Sequence, residues 1–512
     1  MIYKNNKKIL YWIEEPYAHF GIAKYIEEKI ESENYAVIVC NDTSKKFFSE
    51  QKLVKFEKNW FYRDNISSKK QKIDFDYLKY LENDLGIHIW KIVFGERFFT
   101  SYSKYHNFSR DEILSIIQQE SKLYENIIDE IKPNYLVIRL PDFHNIQLLY
   151  EIARAKGVRI LMTAPSRFGG LTITEEFDEK IQIDSYETNK QKLKNFSELR
   201  EHIKKYSEEH QILMGGFRTS QFKKINAILH FLSIENKKFT NYYQNVGKTK
   251  SAVIFKKALE SIQNYKRSKF IDQNFKNVIS TSFPFIYFPL HVEPEQTLLI
   301  RAPFHTDQLN TITNISKSLP IDYKLFVKEH PAMKFNGWHD IEFYKKIFAL
   351  PNVELFHPSL SNEEFIEKCS LVISIAGTAA LQAAFYEKPS IVLSDVNYTN
   401  ISSVYRLKNF EELYDAICIM VNKKVNLSEL NEYVTKLEEK SFNFETMRFA
   451  VDAYNNFGYG GFFAESNVTL EKMTNFLENN KDDFEILSTE HIKKINSIEN
   501  EKNNDKLMKD KL

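Results

Sequence analysis

Short apolar runs that alternate with longer amphipathic stretches are the feature that most restricts how this chain can fold. They form two series, and the predicted strands are 8–13, 35–40, 88–94, 134–140 and 158–163, then 285–290, 323–328, 353–356, 371–375 and 390–394. Helices are predicted between them at 23–32, 109–131 and 145–157. Strands that alternate with helices are typical of parallel α/β sheets. The pattern therefore predicts an α/β fold with two Rossmann-like, doubly wound parallel-sheet domains.

The length of the chain, 512 residues, exceeds what one hydrophobic core usually serves. We predict that residues 1–185 and 278–425 form the two sheet domains. Residues 186–277 between them are expected to be a helical, basic connection, and residues 426–512 to be helices with a charged tail that frays. Ligands of such sheets bind beyond the carboxyl ends of the strands. We therefore expect the functional site in a cleft between the two domains.

Composition excludes several classes of protein. Hydrophobic residues make up 43% and charged residues 27%, while the net charge is +1, which favours a globular protein and gives no general attraction to nucleic acid. The cysteines Cys40, Cys369 and Cys418 show no paired spacing, so neither a disulfide framework nor a zinc site is expected. No apolar run is long enough for a membrane span, and the N-terminal residues read as a strand rather than a signal peptide. We expect a cytoplasmic protein without a metal.

The segment from 248 to 270 is the most basic part of the chain. It carries seven lysines and arginines, opposed only by Glu260, and the aromatic residues Phe255, Tyr265 and Phe270 are interleaved among them. Two interpretations stay open. The segment is either a solvated helix face or a patch that rests on the anionic surface of the inner membrane.

The sequence LFVKEHP at 325–331 ends a predicted strand in ionisable groups. Pro331 stops further strand pairing and sets a turn, so that His330 projects from the edge of the sheet. An imidazole there can donate to a phosphate oxygen, and Lys328 can add positive charge. The alternative is that the histidine and proline simply form a turn.

A second strand-end motif is SIAGTAALQAA at 374–384. Gly377 allows a tight turn, and Ser374 and Thr378 supply hydroxyls beside a helix start, whose free N–H groups attract anions. Gln382 lies four residues after Thr378 and so shares its helix face. An ordinary turn with small residues for close packing is the alternative. Because both motifs leave strands of one domain on one side, together they favour a nucleotide phosphate bound beyond them.

Further polar residues follow other predicted strands. Glu293 and Glu295 follow strand 285–290 and are expected to accept sugar or ribose hydroxyls, whereas Arg301 is expected to meet phosphate. In the first domain, Asp142, Glu15 and His19 are candidates, in that order, for a general base that deprotonates an acceptor hydroxyl. Each of these residues could instead be a solvated loop charge or, like Asp142 before its helix, a cap.

The segments PLHVEPE, SLPIDYKLFVKEHP, LVISIAGTAALQAAFYEKPSIVL and VYRLKNFEELYDAI resemble the bacterial capsule polysaccharide biosynthesis family, which includes Kdo-transferase-like enzymes of the GT-B architecture. The resemblance is clearest over 283–420 and looser over 1–180. It implies a GT-B-like fold with two domains facing across a cleft. It also implies metal-independent transfer of a sugar from a nucleotide-sugar donor, CMP- or UDP-linked, to a growing surface glycan or lipid-linked glycan.

Carried over to this chain, the resemblance implies that His330 and Pro331 contact the donor phosphate and that Ser374, Gly377 and Thr378 form the hydroxyl-bearing loop. The chain departs from the family pattern at Gln382, where a glutamate is usual, and at Ala380, where a glycine is usual. Three alternatives stay open: a UDP-sugar 2-epimerase, a CDP-polyol phosphotransferase, and a subunit of a glycan-assembly complex that binds nucleotide sugar without catalysis.

Overall fold

The computed structural model describes residues 7–100, 104–177, 179–181, 183, 194–201, 204, 232, 242–280, 282–458 and 467–509. Its strands are β1 (Lys7–Ile13), β2 (Ser32–Ile38), β3 (Lys58–Phe61), β4 (Tyr135–Arg139), β5 (Arg159–Pro165), β6 (Leu171–Thr174), β7 (Phe285–Pro289), β8 (Lys324–Lys328), β9 (Val353–Phe356), β10 (Leu371–Ser374), β11 (Ser390–Val392), β12 (Val404–Arg406) and β13 (Ser441–Phe442).

The helices of the described residues follow the strands in alternation. They are α1 (Ala18–Glu27), α2 (Asp42–Glu50), α3 (Tyr62–Asn65), α4 (Phe75–Asn83), α5 (Ile89–Phe94), α6 (Arg110–Ile131), α7 (His144–Ala155), α8 (Lys250–Asn274), α9 (Gln308–Lys317), α10 (Met333–Asn336), α11 (Ile341–Phe348), α12 (Asn362–Lys368), α13 (Ala379–Phe385), α14 (Leu413–Met420), α15 (Leu427–Lys440), α16 (Thr446–Phe457), α17 (Leu470–Asn479) and α18 (Lys481–Lys509). None of these helices is both long and apolar enough to cross a membrane.

The strands form two sheets, one in each α/β domain. The seven-stranded sheet has the order β13-β6-β5-β4-β1-β2-β3, and the six-stranded sheet has the order β12-β11-β10-β7-β8-β9. Among the described strands, antiparallel pairing occurs only at one side of the seven-stranded sheet, where β6 pairs with β5 and with the edge strand β13. The interior strands are apolar on both faces, and all five residues of β7 are buried, as expected where helices cover both sides of a parallel sheet. The predicted fold class is confirmed.

Each sheet has one point where the strand order reverses. In the first sheet β1 pairs with both β2 and β4, and in the second β7 pairs with both β8 and β10. Chain connections leave in opposite directions on the two sides of such a point, which opens a crevice at the carboxyl ends of the strands. The residues that follow β1 and β4, and those that follow β7, β8 and β10, therefore lie at the two crevices.

One predicted strand is wrong. Residues 88–94 were expected to extend a sheet, but Ile89–Phe94 forms the short helix α5. Its buried side chains Ile89, Ile92 and Val93 recur at spacings of three and four, while Trp90 and Phe94 are exposed, which is the periodicity of a helix and not of a strand. The edge position of the sheet is taken by β3, which was not predicted.

The C-terminal helices return to the first domain. Phe449, Phe476 and Phe484 belong to the same hydrophobic core as β1 and α1. A Cβ atom on Gly21 of α1 would lie only 2.1 Å from the ring of Phe484, so glycine allows α18 to pack closely against α1. By contrast, α15 contributes Leu430 and Tyr433 to the core of the second domain.

Candidate functional site

His291 lies at the reversal point of the second sheet. It follows β7, and its Nε2 atom is 3.4 Å from Ser374 Oγ and 3.4 Å from the backbone nitrogen of Ala376, both at the end of the neighbouring strand β10. Burial, together with the nearby His330 and Arg167, lowers the pKa of His291 to about 3. The ring is therefore neutral at physiological pH. From its position just after a predicted strand, the sequence placed His291 at this edge but gave it no role among the predicted site residues.

The turn after β10 is built around Gly377. Its backbone N–H donates to the buried Ser374 hydroxyl at 3.1 Å, and its carbonyl accepts from the Tyr398 hydroxyl at 2.6 Å. A Cβ atom here would lie 2.9 Å from Ser374 Oγ and 3.0 Å from His291 Nε2. Glycine is thus required by space at this turn.

The helix that follows this turn contributes less to an anion site than the sequence predicts. Thr378 is exposed and makes no capping bond, and Gln382 is half-buried one turn along. Helix α13 has only seven residues, so few peptide dipoles add at its start. The polar groups of the turn, rather than the helix itself, give the site its character.

His330 follows β8, the other strand that pairs with β7, and so lies at the same edge of the sheet. Its Nδ1 atom accepts from the backbone N–H of Ala332 at 3.1 Å, which in the neutral ring leaves the proton on Nε2. The side chain is half-buried, and it lies near enough to His291 to help depress the pKa of that ring. The structure therefore brings His330, His291 and the Ser374–Gly377 turn together.

A buried network supports the backbone of His330. Glu329 accepts from the His330 N–H at 2.7 Å, from the Tyr344 hydroxyl at 2.5 Å, and its Oε2 atom is 2.8 Å from His339 Nδ1. Although burial alone would lower it, the carboxylates of Glu293 and Glu329 raise the pKa of His339 to about 9. The cationic imidazolium thus links two buried carboxylates.

Three predicted donor-binding residues have other contacts. Glu293 Oε1 accepts from Gln308 at 2.5 Å and its Oε2 atom is 3.6 Å from His339 Nε2, so it belongs to the buried network. Lys328 is 2% exposed and donates to the Leu360 carbonyl at 3.0 Å, and burial lowers its pKa to about 8. Arg301 is half-buried at the end of a π-helical turn, and its carbonyl accepts from Ser394 at 2.7 Å.

Two arginines of the first domain reach the second. Arg167 follows β5 in a left-handed conformation (φ 68°), and its Nη1 atom donates to the Ala376 carbonyl at 3.0 Å. The next residue, Phe168, stacks on Phe385 with ring centroids 5.5 Å apart. Burial raises the pKa of Glu295, while Arg97 and Arg167 oppose this shift. The carboxyl ends of the two sheets therefore face each other, and sequence reasoning missed both arginines.

Charged side chains line the crevice of the first domain. Arg139, at the end of β4, donates to Glu14 after β1, and its Nη1 atom is 2.6 Å from Asp142 Oδ1. Burial raises the pKa of Glu14, while Arg139 lowers it. The side chain of Asp142 is 27% exposed and so remains accessible from the cleft.

The other two predicted bases are placed differently. Glu15 is exposed next to Glu14. His19 is 4% exposed beneath the edge, and burial, with His491 and Arg139 nearby, lowers its pKa to about 3. His19 is therefore a neutral core residue in this structure, whereas Glu14, which was not predicted, joins Asp142 through a shared arginine.

A buried histidine anchors the loop that carries Arg97. His144, at the start of α7, is bonded through Nδ1 to Glu96, and its Nε2 atom is 3.0 Å from Glu120 Oε1. Although burial alone would lower it, Glu120 and Glu96 raise the pKa of His144 to about 10. This cationic ring between two carboxylates ties the 96–98 loop to the end of β4. In the part of the chain that the structure describes, no cluster of three His, Cys, Asp or Glu residues is arranged to hold a metal ion.

Comparisons with known proteins give only remote similarities. No protein-family model matches the chain, and no curated protein matches it. Among solved structures, the Methanocaldococcus jannaschii UDP-GlcNAc 2-epimerase in complex with UDP-GlcNAc and UDP is 11% identical, with a TM-score of 0.26, over 85% of this chain and 99% of that one.

Two further structures show comparable similarity. The Thermosulfurimonas dismutans KpsC beta Kdo 2,7 transferase is 11% identical, with a TM-score of 0.29, over 71% of this chain and 87% of that one. The N-terminal domain of Candida albicans trehalose-6-phosphate phosphatase is 11% identical, with a TM-score of 0.32, over 89% and 98%. Similarities at this level do not identify a family, and the fold described above rests on the strand pairing itself.

Proposed function

We propose that the chain is a GT-B glycosyltransferase that transfers a sugar from a nucleotide-sugar donor to a growing bacterial surface polysaccharide, capsule or lipopolysaccharide. The observation that supports it is the convergence of His330, His291 and the Ser374–Gly377 turn at the reversal point of the second sheet, with Arg167 of the first domain on the same turn. A crevice of this kind is where open α/β sheets bind nucleotides.

The donor phosphate would lie against the second-domain edge. His330 and Arg167 would direct imidazole and guanidinium N–H donors at that phosphate. As the glycosidic bond to the donor breaks, negative charge develops on the leaving nucleotide, and N–H donors aimed at that charge stabilise the transition state. Glu295, which lies within electrostatic reach of Arg97 and Arg167, would accept hydroxyls of the sugar or ribose.

The acceptor would lie against the first-domain edge. A hydroxyl of the acceptor must lose its proton as it attacks, and Asp142, whose side chain is 27% exposed, would accept it. Arg139 would hold Asp142 in position, and Glu14, whose pKa is raised by burial, would take up part of the arginine's charge. This assignment keeps the proton acceptor and the leaving-group donors on opposite sides of the cleft.

Donor binding can be tested by thermal shift with CMP-, UDP-, GDP- and CDP-linked sugars. One class is expected to stabilise the protein, by about 2.7 kcal/mol at about 100 times its Kd, and His330→Ala should remove most of that shift. His357→Ala is the matched control, because His357 follows the adjacent strand β9 on the side away from the reversal point. An equal loss in both variants would remove the phosphate role from His330.

Transfer itself is tested by product analysis with the donor that binds. A glycosyltransferase needs the acceptor to form product, whereas an epimerase converts the donor alone into its isomer. Release of a nucleoside monophosphate with transfer of a polyol phosphate would indicate the CDP-polyol reaction. Donor binding without turnover of any acceptor would favour the non-catalytic subunit and contradict the proposal.

A further inference from the structure

Helix α8 exposes an apolar face. Its exposed large side chains are Ile254, Phe255, Leu259, Ile262 and Tyr265, with between 41% and 71% of each surface accessible. At 3.6 residues per turn these five positions fall within an arc of about 140°. Contiguous exposed apolar surface of this kind marks an interaction site rather than an ordinary protein surface.

The opposite face of α8 meets the protein through polar contacts and through its two buried residues, Val253 and Ile271. Glu260 accepts from Lys104 at 2.9 Å and from Lys257 at 3.0 Å. Arg267 donates to the carbonyls of Gly337 at 2.7 Å and Trp338 at 3.1 Å. An ordinary surface helix turns its apolar face to the core and its charges to water. Helix α8 instead leaves five large apolar side chains outside and buries only Val253 and Ile271, which indicates that its outer face meets an apolar phase.

The charge of α8 indicates the kind of surface that it meets. Its residues include six basic side chains and two acidic ones, Glu260 and Asp272, a net of +4, whereas the whole chain carries +1. Lys266 and Lys269 are exposed beside Tyr265 and Ile262. A second copy of the same face would repel this charge, but anionic lipid headgroups would attract it while the apolar side chains enter the interface.

The position of α8 places that face beside the cleft. At its N-terminal side, Lys248 lies 5.4 Å from the ring centroid of Phe98, next to Arg97 of the first domain. Further along, Lys256 lies 4.9 Å from the ring of Tyr105. At its C-terminal side, Phe270 stacks with Tyr344, whose hydroxyl donates to Glu329 next to His330. The helix therefore runs from one side of the crevice to the other.

We infer that the outer face of α8 docks on an anionic bilayer surface and holds the cleft against it, so that the acceptor is a lipid-linked glycan. The identity of the acceptor rests on the proposed glycosyltransferase function, whereas the docking does not. The lysines would attract the anionic headgroups, and the side chains of Phe255, Ile262 and Tyr265 would insert into the interface of the bilayer.

Vesicle flotation with the full chain tests the docking. The protein should float with phosphatidylcholine vesicles that contain about a third phosphatidylglycerol, and should stay behind with pure phosphatidylcholine or at high salt. The double substitution Phe255→Ser and Ile262→Ser should weaken partitioning about tenfold or more. The control is Ile419→Ser, a similarly exposed isoleucine on α14, which should float like the unsubstituted chain.

Three outcomes would overturn the inference: no flotation of the unsubstituted chain, an equal loss in the Ile419→Ser control, or a dimer in light scattering that Phe255→Ser dissolves. Thermal shift with nucleotide sugar on the same variants separates this proposal from the proposed function. If a variant still binds the donor but no longer floats with the vesicles, the substitution has affected only the docking. Flotation without any donor binding or transfer would leave the docking standing and remove the glycosyltransferase.

Discussion

The two crevices of this protein have the same topology and opposite chemistry. In the first domain, the residues after β1 and β4 are ionic, with Arg139 between Glu14 and Asp142. In the second domain, the residues after β7, β8 and β10 present the imidazoles His291 and His330 and the Ser374–Gly377 turn. Topology decides only where a ligand lies, and the side chains at each edge decide which ligand it is.

The difference suits two different partners. An accessible carboxylate, such as Asp142, is a proton acceptor and would repel a phosphate. Hydrogen-bond donors with little net charge, such as those around His330, can bind an anion by geometry. They attract other anions less strongly than a cluster of cations would. The nearby Glu293 and Glu329 share the His339 imidazolium and are hydrogen-bonded by Gln308 and Tyr344, so one of their two negative charges is offset.

The largest expected effect comes from the ionic edge. Asp142→Asn keeps the shape of the side chain but removes its basicity, and should lower kcat about 10²–10⁴-fold. The thermal shift produced by the donor should not change, because Asp142 lies on the acceptor side. Steady-state kinetics with donor and acceptor measure the first quantity. Glu15→Gln, at the exposed neighbour of Glu14, is the control and should keep kcat; a loss there and not at Asp142 would reassign the base.

A smaller effect on function is expected from filling the space beside Gly377 at the edge of the second sheet. Gly377→Ala places a methyl group 2.9 Å from Ser374 Oγ and 3.0 Å from His291 Nε2, and such overpacking typically costs about 1–3 kcal/mol. Donor affinity should fall with little change in kcat at saturating donor. Isothermal titration and denaturant unfolding separate the two quantities. Ser374→Ala relieves the contact with Oγ and, combined with Gly377→Ala, should restore part of the stability; no coupling between the two substitutions would contradict this packing.

The buried histidines His144 and His291 should respond to pH in opposite directions, and His339 and His19 add to the alkaline and the acid limb respectively. His144 has a pKa of about 10, so its stabilising contribution is complete below pH 6.5 and is lost as the pH rises towards 10. His291 has a pKa of about 3, so stability falls as the pH drops below 6.5, because the unfolded chain takes up a proton that the folded chain refuses. Each slope is at most about 1.4 kcal/mol per pH unit.

Unfolding by denaturant across pH 4–10 checks this pair of slopes. His144→Gln should flatten the alkaline limb, and His291→Gln the acid limb. His357→Gln, at a partly exposed histidine, is expected to leave both limbs in place. If His144→Gln does not fold, the acid limb of His291→Gln still tests the comparison. Steepening of the acid limb in that variant would contradict a neutral His291.

The sequence predicted the second domain better than the first. Its strands follow each other as apolar runs that end in turn residues, and the motifs around His330 and Gly377 lie on neighbours of one strand. The error at 88–94 arose because a short apolar run has no period of its own. His291 was placed at this edge but given no role, because a single histidine after a strand is a weak signal without the strand order. Contacts between domains, such as Arg167 to Ala376, depend on tertiary geometry that no local pattern encodes.

The smallest expected effect on donor affinity concerns the contact between Arg167 and the Ala376 carbonyl, which the sequence could not show. Arg167→Lys keeps the charge but loses the planar set of donors that reaches the Ala376 carbonyl, and donor affinity should fall about threefold to tenfold. The control is Arg200→Lys, because Arg200 also contacts the second domain, 5.7 Å from the ring centroid of Tyr386, but away from the turn and beside Leu199 of that domain's core. Donor titration of both variants decides the point. If affinity falls equally in both, Arg167 only holds the domains together and the two edges act separately; if it falls only at Arg167, the first domain contributes directly to the donor site.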